Sequence, residues 1–188
     1  MKSFTSPLLE LAGYEEIQKK FRTSSGMTLI SGCVTSQKTH MIYALSDGCS
    51  YTVIVLSDEE KAKKMLEECR FLDENVCFYP AKDFLFYQAD IHGKELIRQR
   101  IEAIRMMLEK GKEGVTIITT FDAFMDKMVS KESLKEQIMT LKSGDVVDFE
   151  KLTYQISGLG YEREVQVDGP GQFAVRGGIL DIYPLTEE

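Results

Sequence analysis

Apolar positions along the chain change period twice, and those changes outline its elements. Tyr51-Thr52-Val53-Ile54-Val55-Leu56 is an unbroken apolar run of the kind buried on both faces of a parallel sheet. Asn75 to Pro80 and Val115 to Thr119 repeat it, and Thr28-Leu29-Ile30-Ser31-Gly32 predicts a shorter buried strand before them. Helical spacing fills the intervals. Residues 7 to 22 form a polar-faced lead-in, and a helix begins near Lys38 with Met41, Ile42 and Leu45 inward and Gly48 at its end. Ser57 offers an N-cap to a helix with Ala62, Met65, Leu66, Cys69 and Leu72 on one stripe. After an aromatic loop with Phe84, Phe86 and Tyr87, a longer helix from Lys94 sets Ile97, Ile101, Ile104 and Leu108 on a core stripe, stopped at Gly111. Arg98 and Arg105 lie on a neighbouring face that reads as solvated, and Phe121 to Val129 predicts a further helix. Strand and helix alternating in this way imply a doubly wound parallel sheet over residues 1 to 129.

Beyond Val129 the pattern becomes α+β. Ile138 to Lys142 predicts a strand, Ser143-Gly144-Asp145 a turn, and Asp148 a cap for a helix with Phe149, Leu152, Ile156 and Leu159 on one face. Glu164 to Val167, then Phe173 to Arg176, then Ile179 to Tyr183 alternate apolar and polar, predicting a small antiparallel meander. Asp168-Gly169-Pro170-Gly171 and Gly177-Gly178 are its turns, and one arginine, Arg176, stands at the second. The second domain, residues 130 to 188, is expected to be incomplete at its C-terminal end, because its last strand would be left as an edge.

The formal charge of -7 divides unevenly, the basic and acidic residues numbering 16 and 18 up to position 125 and 7 and 12 after it. So acidic a surface repels a phosphate backbone, and the expected partners are proteins rather than nucleic acid. Four cysteines, Cys33, Cys49, Cys69 and Cys77, form no C-x-x-C pair, and the two histidines, His40 and His92, have no ligand spacing to them. No metal site is predicted; the thiols read as small buried hydrophobes of a reducing, cytoplasmic compartment. Apolar runs fall short of membrane-spanning length, so no membrane association is expected.

Gly32-Cys33-Val34-Thr35-Ser36-Gln37-Lys38-Thr39 stands where a phosphate loop belongs, between a predicted strand and a helix. It fits G-x-x-x-x-G-K-T except that Gln37 replaces the second glycine. That glycine allows the backbone N–H groups to turn toward phosphates, so the loop reads as degenerate. Lys38 and Thr39 keep open an alternative reading as a nucleotide-binding domain. No nucleophile elbow or Ser/His/Asp set is present, and no catalytic residue is predicted.

The run Phe173 to Pro184, with Gly160-Tyr161 and Gly169-Pro170-Gly171 before it, resembles the signature of the bacterial transcription-repair coupling factors, the Mfd family. Leu141-Lys142-Ser143-Gly144-Asp145, Pro80-Ala81 and Arg100-Ile101-Glu102-Ala103-Ile104 extend the likeness over nearly the whole chain. What the resemblance implies is a UvrB-like N-terminal region: a degenerate helicase-like domain, then a small domain that binds UvrA. It implies a non-catalytic recruitment module in nucleotide excision repair, with ATP, magnesium, DNA and RNA polymerase engaged only by parent domains beyond Glu188. Those parent domains are themselves an expected partner and could mask the module. A fragment of a UvrB-type excinuclease subunit is the rival family reading, but UvrB keeps an intact phosphate loop and a tyrosine-rich hairpin. UvrA contact in these relatives is carried by arginines, and the matching positions are Arg176 and, less closely, Arg163. A further arginine of UvrB is matched by Ala174, and the competing role for Arg176 is a pair with Asp181 or Glu164.

Overall fold

A computed structural model describes residues 4–23, 25–82, 92–128 and 139–185. The α/β class expected from the strand and helix alternation is what it shows. The chain divides into two compact units: residues 1–82 with 99–125, and residues 83–98 with 126–188.

In the first unit, β1 (Tyr51–Leu56), β2 (Val76–Tyr79) and β3 (Val115–Thr120) form a parallel sheet in the order β1-β3-β2. The three long apolar runs are these strands, and β3, which lies between the others, is buried at every position. One face packs Ile54, Val76, Phe78 and Ile118 against Ala62, Met65 and Cys69 of α4 (Glu59–Arg70). The other packs Cys77, Tyr79, Val115 and Ile117 against Ala103 of α5 (His92–Lys110) and Ala123 of α6 (Phe121–Met125). A third cluster joins Leu8 of α1 (Ser6–Leu9) and Tyr14 of α2 (Tyr14–Thr23) to Met41, Ala44 and Leu45 of α3 (Thr35–Leu45).

Several expectations change here. Residues 28–32 form no strand, and Leu29 is 89% exposed. Burying Leu29 and Ile30 would return about 3 to 6 kcal/mol, whereas ordering five residues costs about 5 to 10. The lead-in is two helices rather than one, broken at Gly13, whose φ is +84°. The cap of α4 is Asp58, not Ser57: its carboxylate accepts from the Lys61 N–H, and the Ser57 hydroxyl donates to Asp58 in turn. The buried stripe of α5 centres on Ala103, with Ile104, Met106 and Met107 packed beside it, and Ile97 is exposed. The small alanine lets that helix approach the sheet closely. Helix α6 ends at Met125; Val129 and the aromatic loop with Phe84, Phe86 and Tyr87 lie outside the described residues.

The second unit carries α7 (Phe149–Gly158), β4 (Glu162–Arg163), β5 (Gln172–Arg176) and β6 (Ile179–Tyr183), the strands ordered β4-β5-β6. Asp148 caps α7 by accepting from the Glu150 and Lys151 N–H groups, as its position before an apolar stripe predicts. Leu152 and Ile156 of that stripe pack on Phe173, with Tyr161, Val175 and Leu180 around them. The turn at 143–145 is present: the Asp145 N–H donates to the Lys142 carbonyl, and the Asp145 carboxylate accepts from the Lys142 N–H. Residues 139–142 form no strand, while Ile138 lies outside the described residues.

The expected antiparallel meander is also corrected. Its first strand lies at Glu162–Arg163, not at residues 164–167, and pairs parallel with β5. Tyr161 decides this register, because its ring joins the core beside Ile156 whereas Val165 stays 89% exposed. The Glu162 and Glu164 N–H groups then donate to the Gly171 and Phe173 carbonyls at 2.9 and 2.8 Å. The second turn does form as an antiparallel hairpin, Arg176 facing Ile179 across a two-residue loop. Gly177 at φ +63° supplies the positive φ such a loop requires.

Candidate interaction face and degenerate phosphate loop

Helix α3 starts at Thr35, so Thr35, Ser36, Gln37 and Lys38 form its first turn instead of a cradle ahead of it. Gly32 keeps the left-handed φ of +87°, but the Lys38 N–H already donates to the Val34 carbonyl at 3.0 Å. Gln37 is the cause named by the motif: with a side chain in place of glycine, a helical conformation is favoured over the cradle. Thr39 is buried, and its hydroxyl donates to the Glu68 carboxylate of α4, with the Met65 sulfur 3.3 Å away. A phosphate brought to that hydroxyl would meet the Glu68 charge. Lys38 is exposed at the helix surface.

At the carboxyl ends of the parallel strands, where an α/β sheet ordinarily holds ligands, several described groups are engaged with one another. Arg100 stacks its guanidinium 4.2 Å from the centre of the Tyr79 ring and donates to the Pro80 carbonyl at 2.6 Å and to the Tyr79 hydroxyl. The Thr119 hydroxyl donates to the Tyr79 carbonyl at 2.7 Å. Asp58 is occupied as a helix cap, and Asp122 sits in the first turn of α6. In the sequence Arg100 stands only within the stretch Arg100-Ile101-Glu102-Ala103-Ile104 that carries part of the resemblance; its stacking on Tyr79 depends on where α5 crosses β2. Among the described residues, no group of three or more His, Cys, Asp or Glu could hold a metal ion.

In the small sheet, the strand register sorts the candidate arginines. Phe173 faces Ile182 and Val175 faces Leu180 on the side that packs against α7, while Ala174 faces Asp181 and Arg176 faces Ile179 on the other. Arg163 pairs with Phe173, so alternation places it on the α7 side, opposite Arg176. The two sequence candidates therefore do not share a face. Arg176 has an exposed side chain and forms an ion pair from Nη2 to the Asp181 carboxylate, diagonally across the hairpin. Glu162 lies on this same side, since it pairs with Gln172. The Gln172 side-chain oxygen accepts from the Asp168 and Gly169 N–H groups at 2.9 and 3.0 Å, clasping the loop that leads into the hairpin.

Residues 139–188, which include this sheet, match the family model of the UvrB interaction domain. The chain is 28% identical over 193 residues to a transcription-repair-coupling factor of Staphylococcus aureus strain bovine RF122 / ET3-1, covering 100% of this chain and 16% of that protein. Its counterpart in S. aureus strain USA300 is 27% identical over the same coverage. The Bacillus subtilis strain 168 protein of that name is 26% identical over 163 residues, 85% of this chain and 14% of its own length. The chain thus spans 16% or less of the length of these relatives. These matches agree with the resemblance read from the run Phe173 to Pro184, the Staphylococcus aureus ones over the whole chain at 27–28% identity.

Proposed function

We propose that this chain is the UvrB-like, UvrA-recruiting module of a transcription-repair coupling factor. The observation that carries the reading is that the UvrB interaction domain match falls on the residues that build the exposed Arg176 hairpin. An arginine fork on a two-stranded hairpin can meet carboxylates of a partner in bidentate fashion, which suits it to anchor a protein interface. Arg176 is the principal anchor; Arg163, on the α7 side, has at most an edge contact. No reaction is assigned to the chain. The engaged Lys38 N–H and Thr39 hydroxyl support this, since a phosphate would have to displace both from their present bonds.

In the parent protein, the module would bring UvrA to a cytoplasmic ATP-driven DNA translocase acting on stalled RNA polymerase, with the motor supplying ATP and magnesium chemistry elsewhere. Titration calorimetry of this chain with UvrA tests the reading. Binding is expected, weakened by about 1 to 3 kcal/mol in Arg176→Ala. A folded chain without measurable UvrA binding would overturn it. A magnesium-dependent thermal shift with ATP that Lys38→Ala abolishes would instead support nucleotide binding.

A further inference from the structure

Asp181 lies beside the anchor, and its position in the hairpin gives it a role of its own. It faces Ala174, and Arg176 is the next residue along the same side of β5, so its carboxylate reaches the Arg176 guanidinium diagonally without distortion of either strand. A guanidinium presents five N–H donors, and Asp181 engages Nη2, which leaves donors for a second carboxylate. The side chains of Arg176 and Asp181 are 62% and 39% exposed, and a pair so wet contributes little to holding the hairpin together. That work is done on the opposite side, where Phe173 and Ile156 are fully buried.

We infer that Asp181 is a positioning residue for UvrA binding: it holds the Arg176 fork extended along the hairpin before the partner arrives. The inference rests on the recruitment reading above. An arginine has four rotatable side-chain bonds, and freezing them on association costs affinity. A neighbour that has already restricted them removes part of that cost. The opposing effect is repulsion between Asp181 and an incoming carboxylate. Solvent and salt screen both the repulsion and the restraining pair at the exposed rim, but the pair is a contact hydrogen bond while the incoming carboxylate lies farther from Asp181, so the repulsion is screened more strongly. Ordering therefore outweighs repulsion at physiological salt. Ala174 assists because its methyl group, directly opposite Asp181, leaves the diagonal path open.

The test is a titration of UvrA with this chain and four variants: Arg176→Ala, Asp181→Ala, both together, and the exchange Arg176→Asp with Asp181→Arg. Melting temperatures serve as the fold control. Asp181→Ala is expected to weaken UvrA binding about three- to tenfold with an unchanged melting temperature, and to add nothing when Arg176 is already alanine. The exchanged pair is expected to fold but to lose binding, because the fork then starts from β6. Unchanged or tighter binding by Asp181→Ala, or an effect that persists in the double variant, overturns the positioning role while leaving recruitment intact. Wild-type affinity in the exchanged variant would likewise overturn it, marking the pair as a structural staple. Absence of wild-type binding removes the recruitment reading and this inference with it.

Discussion

The Thr39 hydroxyl donates to the Glu68 carboxylate, tying the first half of α3 to α4 across 29 residues of sequence. Thr39 thereby serves as a joint between two helices. Thr39→Val keeps the shape but leaves Glu68 without its donor, and should cost about 1 to 2 kcal/mol in urea unfolding. Glu68→Gln keeps an acceptor and should cost less. If Thr39 were instead held for a nucleotide, its replacement would leave stability unchanged and alter only an ATP-dependent shift.

Gly111 is required for space rather than for φ. A Cβ there would stand 2.1 Å from the Tyr51 hydroxyl oxygen and 2.9 Å from the Met107 carbonyl oxygen. These two oxygens are themselves joined, the Tyr51 hydroxyl donating to the Met107 carbonyl at 2.9 Å. Gly111→Ala must break that bond, and a loss of about 1 to 3 kcal/mol is expected by chemical denaturation. Tyr51→Ala should relieve most of the added cost in the double variant.

Asp58 should give the acid limb of the stability profile a recognisable component. The Lys61 ammonium at 2.6 Å, then the Lys61 N–H, then the Ser57 hydroxyl hold its carboxyl down at about 2. A depressed folded-state value means the stabilisation is complete above the unfolded value near 4 and disappears as pH falls from there to about 2. Asp58→Asn keeps a cap acceptor but cannot titrate. Its urea midpoint should fall less steeply than wild type between pH 4 and 2; parallel profiles would contradict the assignment.

Phe173 bears the core of the small sheet. It is fully buried with Leu152 and Ile156, and Phe173→Ala should cost about 3 to 5 kcal/mol. A unit of this size has little margin, so UvrA binding should be lost with the fold. Phe173→Leu should retain binding, which calorimetry and circular dichroism together would check.

Long-period features were legible in the sequence, and those that depend on a neighbour were not. The runs at 51–56, 76–79 and 115–120 are unbroken apolar stretches and all three are strands, but only 76–79 and 115–120 are buried at every position; Tyr51, Val53 and Val55 stay exposed, against the expectation of burial on both faces. Leu29 and Ile30 carry the same local pattern in fewer residues, and among the described residues no strand pairs with them. The shift of β4 to Glu162–Arg163 turns on where the Tyr161 ring packs, a tertiary fact invisible to alternation. At the candidate face, Arg176 stands out at its glycine turn, with Asp181 or Glu164 as its possible pair; the hairpin register selects Asp181. The separation of Arg163 from Arg176 is not legible there, because it follows from the register of β4.

The parallel placement of β4 has a kinetic consequence. The β5–β6 hairpin closes through a two-residue loop, whereas pairing β4 with β5 must also close an eight-residue connection at a larger entropy cost. The costlier pairing is expected to open first, so the Glu162 and Glu164 amides should exchange with deuterium ahead of those in β5. Arg176 and Asp181 are then expected on the portion that opens last, and Arg163 on the portion that frays first. As the anchor proposed above, an arginine fork that survives fraying of its own sheet edge would keep hold of a partner while the edge beside it opens and closes.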